Sequence, residues 1–249
     1  MRLAGKVALV TGGTKGIGAA TAVELARRGS DVAIVGRHDD DAARRVKTQI
    51  EALGRRCLIV VADMGKPDDA TRSVVDSAEQ LGSVDVLVHA AGGLVQGGLF
   101  DVTPEMWHEA FAVHVHALYY LCRAVIPHMR QRGEGAIVMI SSVAGIRGVH
   151  INLAYQVVKG SLPQFARALA REVADANIRV NCVCPGIIRT RFHEQMTAEQ
   201  KKHNLDTRVP LHREGTPEQV ATLIAEVVTN DYLTGETFTI DGGLTMRIA

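Results

Sequence analysis

The 249-residue sequence is short of aromatic residues, of excess charge, of cysteine and of long apolar runs, and each shortage excludes a class of function. Phe, Trp and Tyr together make up 4%, too few for a platform on which nucleic-acid bases stack. Lys and Arg number 28 against 27 Asp and Glu, a formal net charge of +1, so the basic excess of a nucleic-acid or anionic-membrane binder is missing. Four cysteines, Cys57, Cys122, Cys182 and Cys184, are too few and too scattered for a disulfide framework. Cys182 and Cys184 flank Val183 in a β-like run and would point to one face. No second Cys/His pair completes a metal site, so they read as buried thiols. The longest run without Asp, Glu, Lys or Arg, Val86–Phe100, contains His89, Gln96 and several glycines and falls short of the ~18 apolar residues of a membrane span. The opening Met1-Arg2-Leu3-Ala4-Gly5-Lys6 lacks the apolar core of a secretion signal. The expectation is a soluble, cytoplasmic protein whose partner is neither nucleic acid nor membrane.

What the sequence does have is a regular alternation of short apolar runs and helical patterns. Strands are predicted at Val7–Val10, Val32–Val35, Cys57–Ala62, Val84–His89, Ala136–Ile140, Ile178–Val183 and Phe238–Ile240. Helices are predicted at Ala19–Arg28, Asp41–Leu53, Pro67–Leu81, from Pro104 onward, around Tyr155–Ala174 and after Thr216-Pro217-Glu218. Gly29 and Gly54 stop two of them, while Thr103-Pro104 and Thr216-Pro217 cap two others. The strand runs are continuously apolar, as in a parallel sheet covered on both faces. Residues 1–249 therefore read as one doubly wound α/β domain of the Rossmann type. The polar stretch Arg191–Arg213 breaks the rhythm and reads as a mobile insertion, placed to act as a substrate lid.

The first strand runs into Thr11-Gly12-Gly13-Thr14-Lys15-Gly16-Ile17-Gly18. Glycines there permit a tight turn, let backbone approach a diphosphate and let the next helix pack close, while that helix's N-terminus presents free N–H groups to phosphate. Further along stand Asp63 after the third strand, Ala91-Gly92 after the fourth, Ser142, then Tyr155 and Lys159 as Tyr-x-x-x-Lys, Pro185-Gly186, and Asp241-Gly242-Gly243. These motifs, in this order and at these distances, make the chain resemble the short-chain dehydrogenase/reductase family in its single-domain form of about 250 residues.

The resemblance implies a nicotinamide dinucleotide held by Gly12, Thr14, Lys15, Gly16, Ile17 and Gly18. Asp63 and Met64 would lie at the adenine, Ala91 and Gly92 along the cofactor, and Pro185, Gly186, Ile188 and Thr190 near the carboxamide. Where an NAD-preferring relative carries Asp, this chain has Gly36, followed by Arg37. With Lys15 facing the same ribose, NADP is expected and NAD is the less favoured alternative. Asp39, Asp40 and Asp41 read as solvent-facing acids in the first turn of the next helix. No metal is expected: His108, His114, His116 and His128 share the long helix, but none forms an i, i+4 pair.

Tyr155 and Lys159 are four apart and share a helix face. An ammonium beside the phenol is expected to pull its pKa down from about 10 toward neutrality, where Tyr155 can act as acid and base. Ser142 would hydrogen-bond the substrate oxygen, and Lys159 would also hold the nicotinamide ribose. By the same resemblance His114 stands where relatives carry Asn in a proton relay. A titrating His114 there predicts an activity decline below about pH 6.5 that His114→Asn removes, against the alternative of a packed histidine. His89-Ala90 replaces the usual Asn-Asn, a milder change. Pro163 cannot donate to the Lys159 carbonyl and is expected to kink the helix.

These features lead to an oxidoreductase acting on a small carbonyl or alcohol. A dinucleotide-binding module weakened by His114 is the competing reading, and a sugar-nucleotide epimerase or dehydratase would need a larger C-terminal domain. Gly93-Leu94-Val95-Gln96 and Gly145-Ile146-Arg147-Gly148 should border the pocket, with Arg147 either an anion contact or an exposed structural residue. Sugar or polyol, 3-oxoacyl thioester and hydroxy-ketone substrates stay open. The resemblance further implies a homotetramer built on the helix from Pro104 and the Tyr155 helix. The apolar residues Phe111, Leu118, Leu121 and Val125 allow that, or simple packing on the sheet.

Overall fold

Each apolar run becomes a strand of one sheet, and each amphipathic stretch a helix laid over it. The computed structural model describes residues 1–190 and 196–246. In chain order the elements are β1 (Val7–Thr11), α1 (Gly16–Arg27), β2 (Asp31–Gly36), α2 (Asp41–Glu51), β3 (Cys57–Val61), α3 (Pro67–Leu81), β4 (Val86–His89), α4 (Pro104–Phe111), α5 (Ala117–Arg132), β5 (Gly135–Ile140), α6 (Leu153–Val173), β6 (Ile178–Pro185), α7 (Ala198–His203), α8 (Pro217–Thr229) and β7 (Thr237–Ile240). The seven strands are parallel, in the order β3-β2-β1-β4-β5-β6-β7. This is the Rossmann-like arrangement expected from the sequence.

The period-2 alternation of a strand explains why the runs are apolar throughout. Ala8 and Val10 of β1 pack with Leu25, Ala26 and Ile224 on one face. Val7 and Leu9 pack with Leu118, Leu121, Val125 and Leu162 on the other. The strand order reverses between β1 and β4, which opens a crevice beyond their C-terminal ends, the usual ligand position in such sheets.

Three sequence expectations are corrected. The helix from Pro104 is interrupted by a π-helical turn, Ala112–His116, between α4 and α5. Apolar periodicity cannot register such a turn, because it adds a residue to the backbone ladder without changing composition. Taken whole, Pro104–Arg132 is also long and apolar enough to cross a membrane by length and composition, although Glu109 and Arg123 keep any uncharged run in it short. In this fold its Leu118, Leu121, Val125 and Met129 are fully buried. Finally, α6 runs unbroken through Pro163. The carbonyl that Pro163 leaves without a helical donor, that of Lys159, instead accepts the Ser141 hydroxyl at 2.6 Å.

Candidate active site

The nucleotide end of the crevice is shaped by contacts that only glycine allows. Gly12 has φ +66, and a Cβ there would stand 2.9 Å from the backbone of Ala90 and Ala91, so the loop after β1 lies directly against the end of β4. A Cβ on Gly18 would come within 2.2 Å of the Gly12 carbonyl. Gly36 is covered by Thr14, whose Cγ2 would be 2.7 Å from an added Cβ. Helix α1 begins with Lys15 as an N-cap whose side chain does not cap the helix, and its first turn holds no acid. Its N–H groups and positive dipole end are thus open to an anion, and the cradle fits a dinucleotide diphosphate. Ile17 packs its side chain on the core.

Across the crevice, Thr190 reaches the same loop, its Cγ2 3.5 Å from where a Gly16 Cβ would be. Ile188 bridges to Gly215. Pro185-Gly186 is fixed to β7 by the Ile240 carbonyl and packs on Asp241. Asp63 accepts from Gly65 N at 2.9 Å, whereas the Met64 side chain is buried in the core. Ala91 is buried and Gly92 exposed at the crevice.

Arg37 is exposed and makes no hydrogen bond or ion pair among the described residues. The acids beside it are not simply first-turn residues, as the sequence reading had them. Asp40 is the N-cap of α2, accepting from Ala43 N at 3.0 Å, and its other oxygen takes Lys15 Nζ at 2.7 Å. Asp39 pairs with Arg44 at 3.0 Å.

At the other end of the crevice the titratable groups are buried. Ser142, just beyond β5, accepts from Ala144 N at 3.1 Å and hydrogen-bonds Tyr155. Burial pushes the Tyr155 phenol up to about 12, opposed by the Ser142 bond. That is the reverse of the expected fall. The Lys159 ammonium stands 5.8 Å from the ring centroid and donates to the Ile140 carbonyl at 2.7 Å, and burial of the phenol outweighs its pull. Burial lowers Lys159 itself to about 8. The short turn Val143–Gly145 lies on the α6 backbone, where a Cβ on Gly145 would be 2.6 Å from the Lys159 carbonyl carbon.

His114 projects from the π turn into this cluster. Its Nε2 donates to the Gly93 carbonyl at 3.2 Å, its ring meets Tyr155 edge-on at 6.1 Å, and its Nδ1 is buried without a hydrogen bond. The imidazole occupies the space a Gly92 side chain would need, 2.0 Å from an added Cβ. Burial, then Lys159 and His89, depress His114 to about 2. The predicted titration near pH 6.5 is therefore corrected: the ring stays neutral through that range.

His89, expected to be a mild replacement, is fully buried beside it. Burial, then Lys159, holds it at about 3. The Thr11 hydroxyl, which accepts from Ala91 N at 3.3 Å, shares a hydrogen bond with His89 Nδ1 at 2.9 Å, while His89 Nε2, buried without a hydrogen bond among the described residues, is turned to the Val113 and His114 backbone of the π turn. A histidine ending a strand gave no signal of this in one dimension.

Next to Tyr155 on α6, Gln156 clamps the loop before that helix. Its amide exchanges bonds with Val149 N and O (2.8 and 2.9 Å) and reaches the Ile151 carbonyl, in a segment where Ile151 and Asn152 have φ +61 and +73. Arg147 is exposed, its Nη1 on the Ile146 carbonyl. Of the expected lid, 191–195 lie outside the described residues. The remainder is not irregular: it forms α7, capped by Thr197 and Gln200, and a further π turn. Lys201 and Arg189 both pair with the buried Glu214, at 3.3 and 3.2 Å.

The same fold and family are found among known proteins. Residues 12–245 match the family described as enoyl-(acyl carrier protein) reductase. The chain is 35% identical over 250 residues to dehydrogenase/reductase SDR family member 4 of Oryctolagus cuniculus, covering 99% of this chain and 96% of that protein. A short chain dehydrogenase from Burkholderia cenocepacia, solved in complex with NADP, superposes with a TM-score of 0.91 at 35% identity, covering 98% and 99% of the two chains. L-sorbose reductase from Gluconobacter frateurii, complexed with NADPH and L-sorbose, gives a TM-score of 0.91 at 29% identity over the whole of both chains.

Proposed function

The chain belongs to the short-chain dehydrogenase/reductase family, and from that premise we propose that it interconverts a carbonyl and a secondary alcohol with NADP(H). The observation that carries this reading is the convergence of Ser142, Tyr155 and Lys159 at the end of β5, beside a glycine cradle shaped for a dinucleotide. When bound, the nicotinamide gives or takes the hydride. In reduction Tyr155, protonated at neutral pH because burial raises it, donates its proton to the carbonyl oxygen while Ser142 hydrogen-bonds that oxygen. In oxidation the same atoms run the proton the other way. Lys159 holds the ribose and reloads Tyr155. His114, with Nδ1 free to accept, takes the position of the relay Asn as a neutral imidazole.

Arg37 and Lys15 favour NADP over NAD, because a basic end of β2 attracts the 2′-phosphate that an acid there would repel. Small carbonyls are the substrate class, with sugars or polyols and 3-oxoacyl thioesters the first to assay. Residues 196–213 border the pocket as a lid. The proposed assembly is a homotetramer. Most of the apolar residues of the helix from Pro104 are spent on the chain's own core, so the interface uses what is left exposed, Tyr119 and Val157 among it. A monomeric mass at micromolar concentration would refute the assembly. For the activity, a panel of carbonyls and alcohols followed by nicotinamide absorbance is expected to yield NADPH-dependent turnover. Activity in Tyr155→Phe equal to wild type on a good substrate would overturn the assignment.

A further inference from the structure

At the mouth of the nucleotide end, five charged side chains sit around the exit of β2. Two pairs are neutralised: Lys15 by Asp40 at 2.7 Å and Arg44 by Asp39 at 3.0 Å. Arg37 is exposed and, among the described residues, without such a partner. The Asp40 carboxylate is doubly committed, since one oxygen caps α2 through Ala43 N while the other holds Lys15. Capping fixes its position, and the cap geometry would be served equally by an uncharged Asn.

We propose that Asp40 is a specificity-determining residue that restrains this chain's preference for a 2′-phosphorylated dinucleotide, by neutralising Lys15 and leaving Arg37 as the free cation for that phosphate. The inference rests on the NADP reading above and goes beyond it, because it assigns a residue that opposes the preferred cofactor. The physical reason is charge balance. A 2′-phosphate brings between about one and a half and two negative charges at pH 7. To pair with it, Lys15 must leave Asp40, which then stands as an unpaired anion beside the phosphate. If Lys15 stays, the phosphate meets a neutral pair. Both routes weaken NADP(H) binding, while NAD(H), which has only a 2′-hydroxyl there, is indifferent to the charge. Lys15 and Asp40 are about half and a third exposed, so the effect is moderate and screened by salt.

The test is fluorescence titration of the purified protein with NADPH and with NADH, for wild type, Asp40→Asn and Asp40→Asn in a Lys15→Met background. Asp40→Asn is expected to tighten NADPH about three- to tenfold at low salt, to leave NADH within about twofold, and to keep the melting temperature because Asn still caps α2. In the Lys15→Met background Asp40 stands as an unpaired anion beside the phosphate, so Asp40→Asn should again tighten NADPH, and higher salt should shrink the gain in both backgrounds. An unchanged NADPH-to-NADH ratio in Asp40→Asn overturns the proposal, as does an equal gain for both dinucleotides or no gain at all in the Lys15→Met background. A wild type that binds NADH as tightly as NADPH defeats the cofactor reading instead, and a raised ratio in Asp40→Asn would then still establish the role of Asp40. No measurable NADPH binding to either protein overturns both.

Discussion

The two ends of the crevice handle charge in opposite ways. Around the exit of β2, Lys15, Arg37, Asp39, Asp40 and Arg44 are solvated or half-exposed, and their pairings are surface ion pairs that salt screens. At the other end, on β4, the π turn and α6, His89, His114, Tyr155 and Lys159 are all buried, and desolvation moves every one of them away from its charged form. One sheet edge thus offers adjustable recognition at one end and a fixed, low-dielectric reaction centre at the other. A substitution in the exposed group should act mildly and depend on salt. A substitution in the buried group should act strongly and hardly feel it.

The largest break should come from Tyr155→Phe, which removes the buried proton donor and keeps the ring against His114. Turnover is expected to fall by about 10²–10⁴-fold with dinucleotide affinity little changed, read by steady-state assay beside a binding titration. Next is the acid limb of stability. His114 is held at about 2 in the native chain against an ordinary 6.5, so between these values the unfolded chain binds a proton that the native chain refuses. Stability therefore falls as pH drops below 6.5, by about 1.4 kcal/mol per pH unit for this one ring. Urea unfolding of His114→Asn from pH 7 to 4.5 should show that slope removed, with the share due to His89 remaining. Parallel curves would mean that His114 titrates normally and that the buried end is less dry than it looks. The smallest effect is expected at the exposed end. Arg37→Asp should weaken NADPH relative to NADH by about tenfold, near 1.4 kcal/mol, and the difference should shrink as salt rises. Salt insensitivity there would erase the contrast between the two ends.

How far each region could be read in advance follows the same division. The glycine cradle was legible because its requirements are local: Gly12, Gly16 and Gly18 are spaced by the turn they form, and no other residue fits beside Ala90 or the Gly12 carbonyl. Tyr155 and Lys159 were legible because Tyr-x-x-x-Lys stands among the ordered motifs of the family the chain resembles, and the i, i+4 spacing sets the pair on one helix face. The protonation of these groups was not, since it depends on what surrounds them. Tyr155 was expected to fall and rises instead, and His114 was expected to titrate and stays neutral, because burial dominates both. The pairing of Asp40 with Lys15 was likewise hidden, as the two lie 25 residues apart.

The sequence by itself determined the order of strands and helices, the parallel sheet with two cores, the glycine turn and the one-turn spacing of Tyr155 and Lys159. All of these rest on backbone periodicity and on steric rules that act within a few residues. Only the tertiary structure decided that Ser141 would complete the helix that Pro163 leaves short of a donor. It also decided that a π turn would carry His114 to Gly93, and that His89 would meet that turn from β4. Those contacts join residues 18, 21 and about 25 positions apart, and which polar groups share a dry space is set by how strands and helices close over them, which no local pattern encodes.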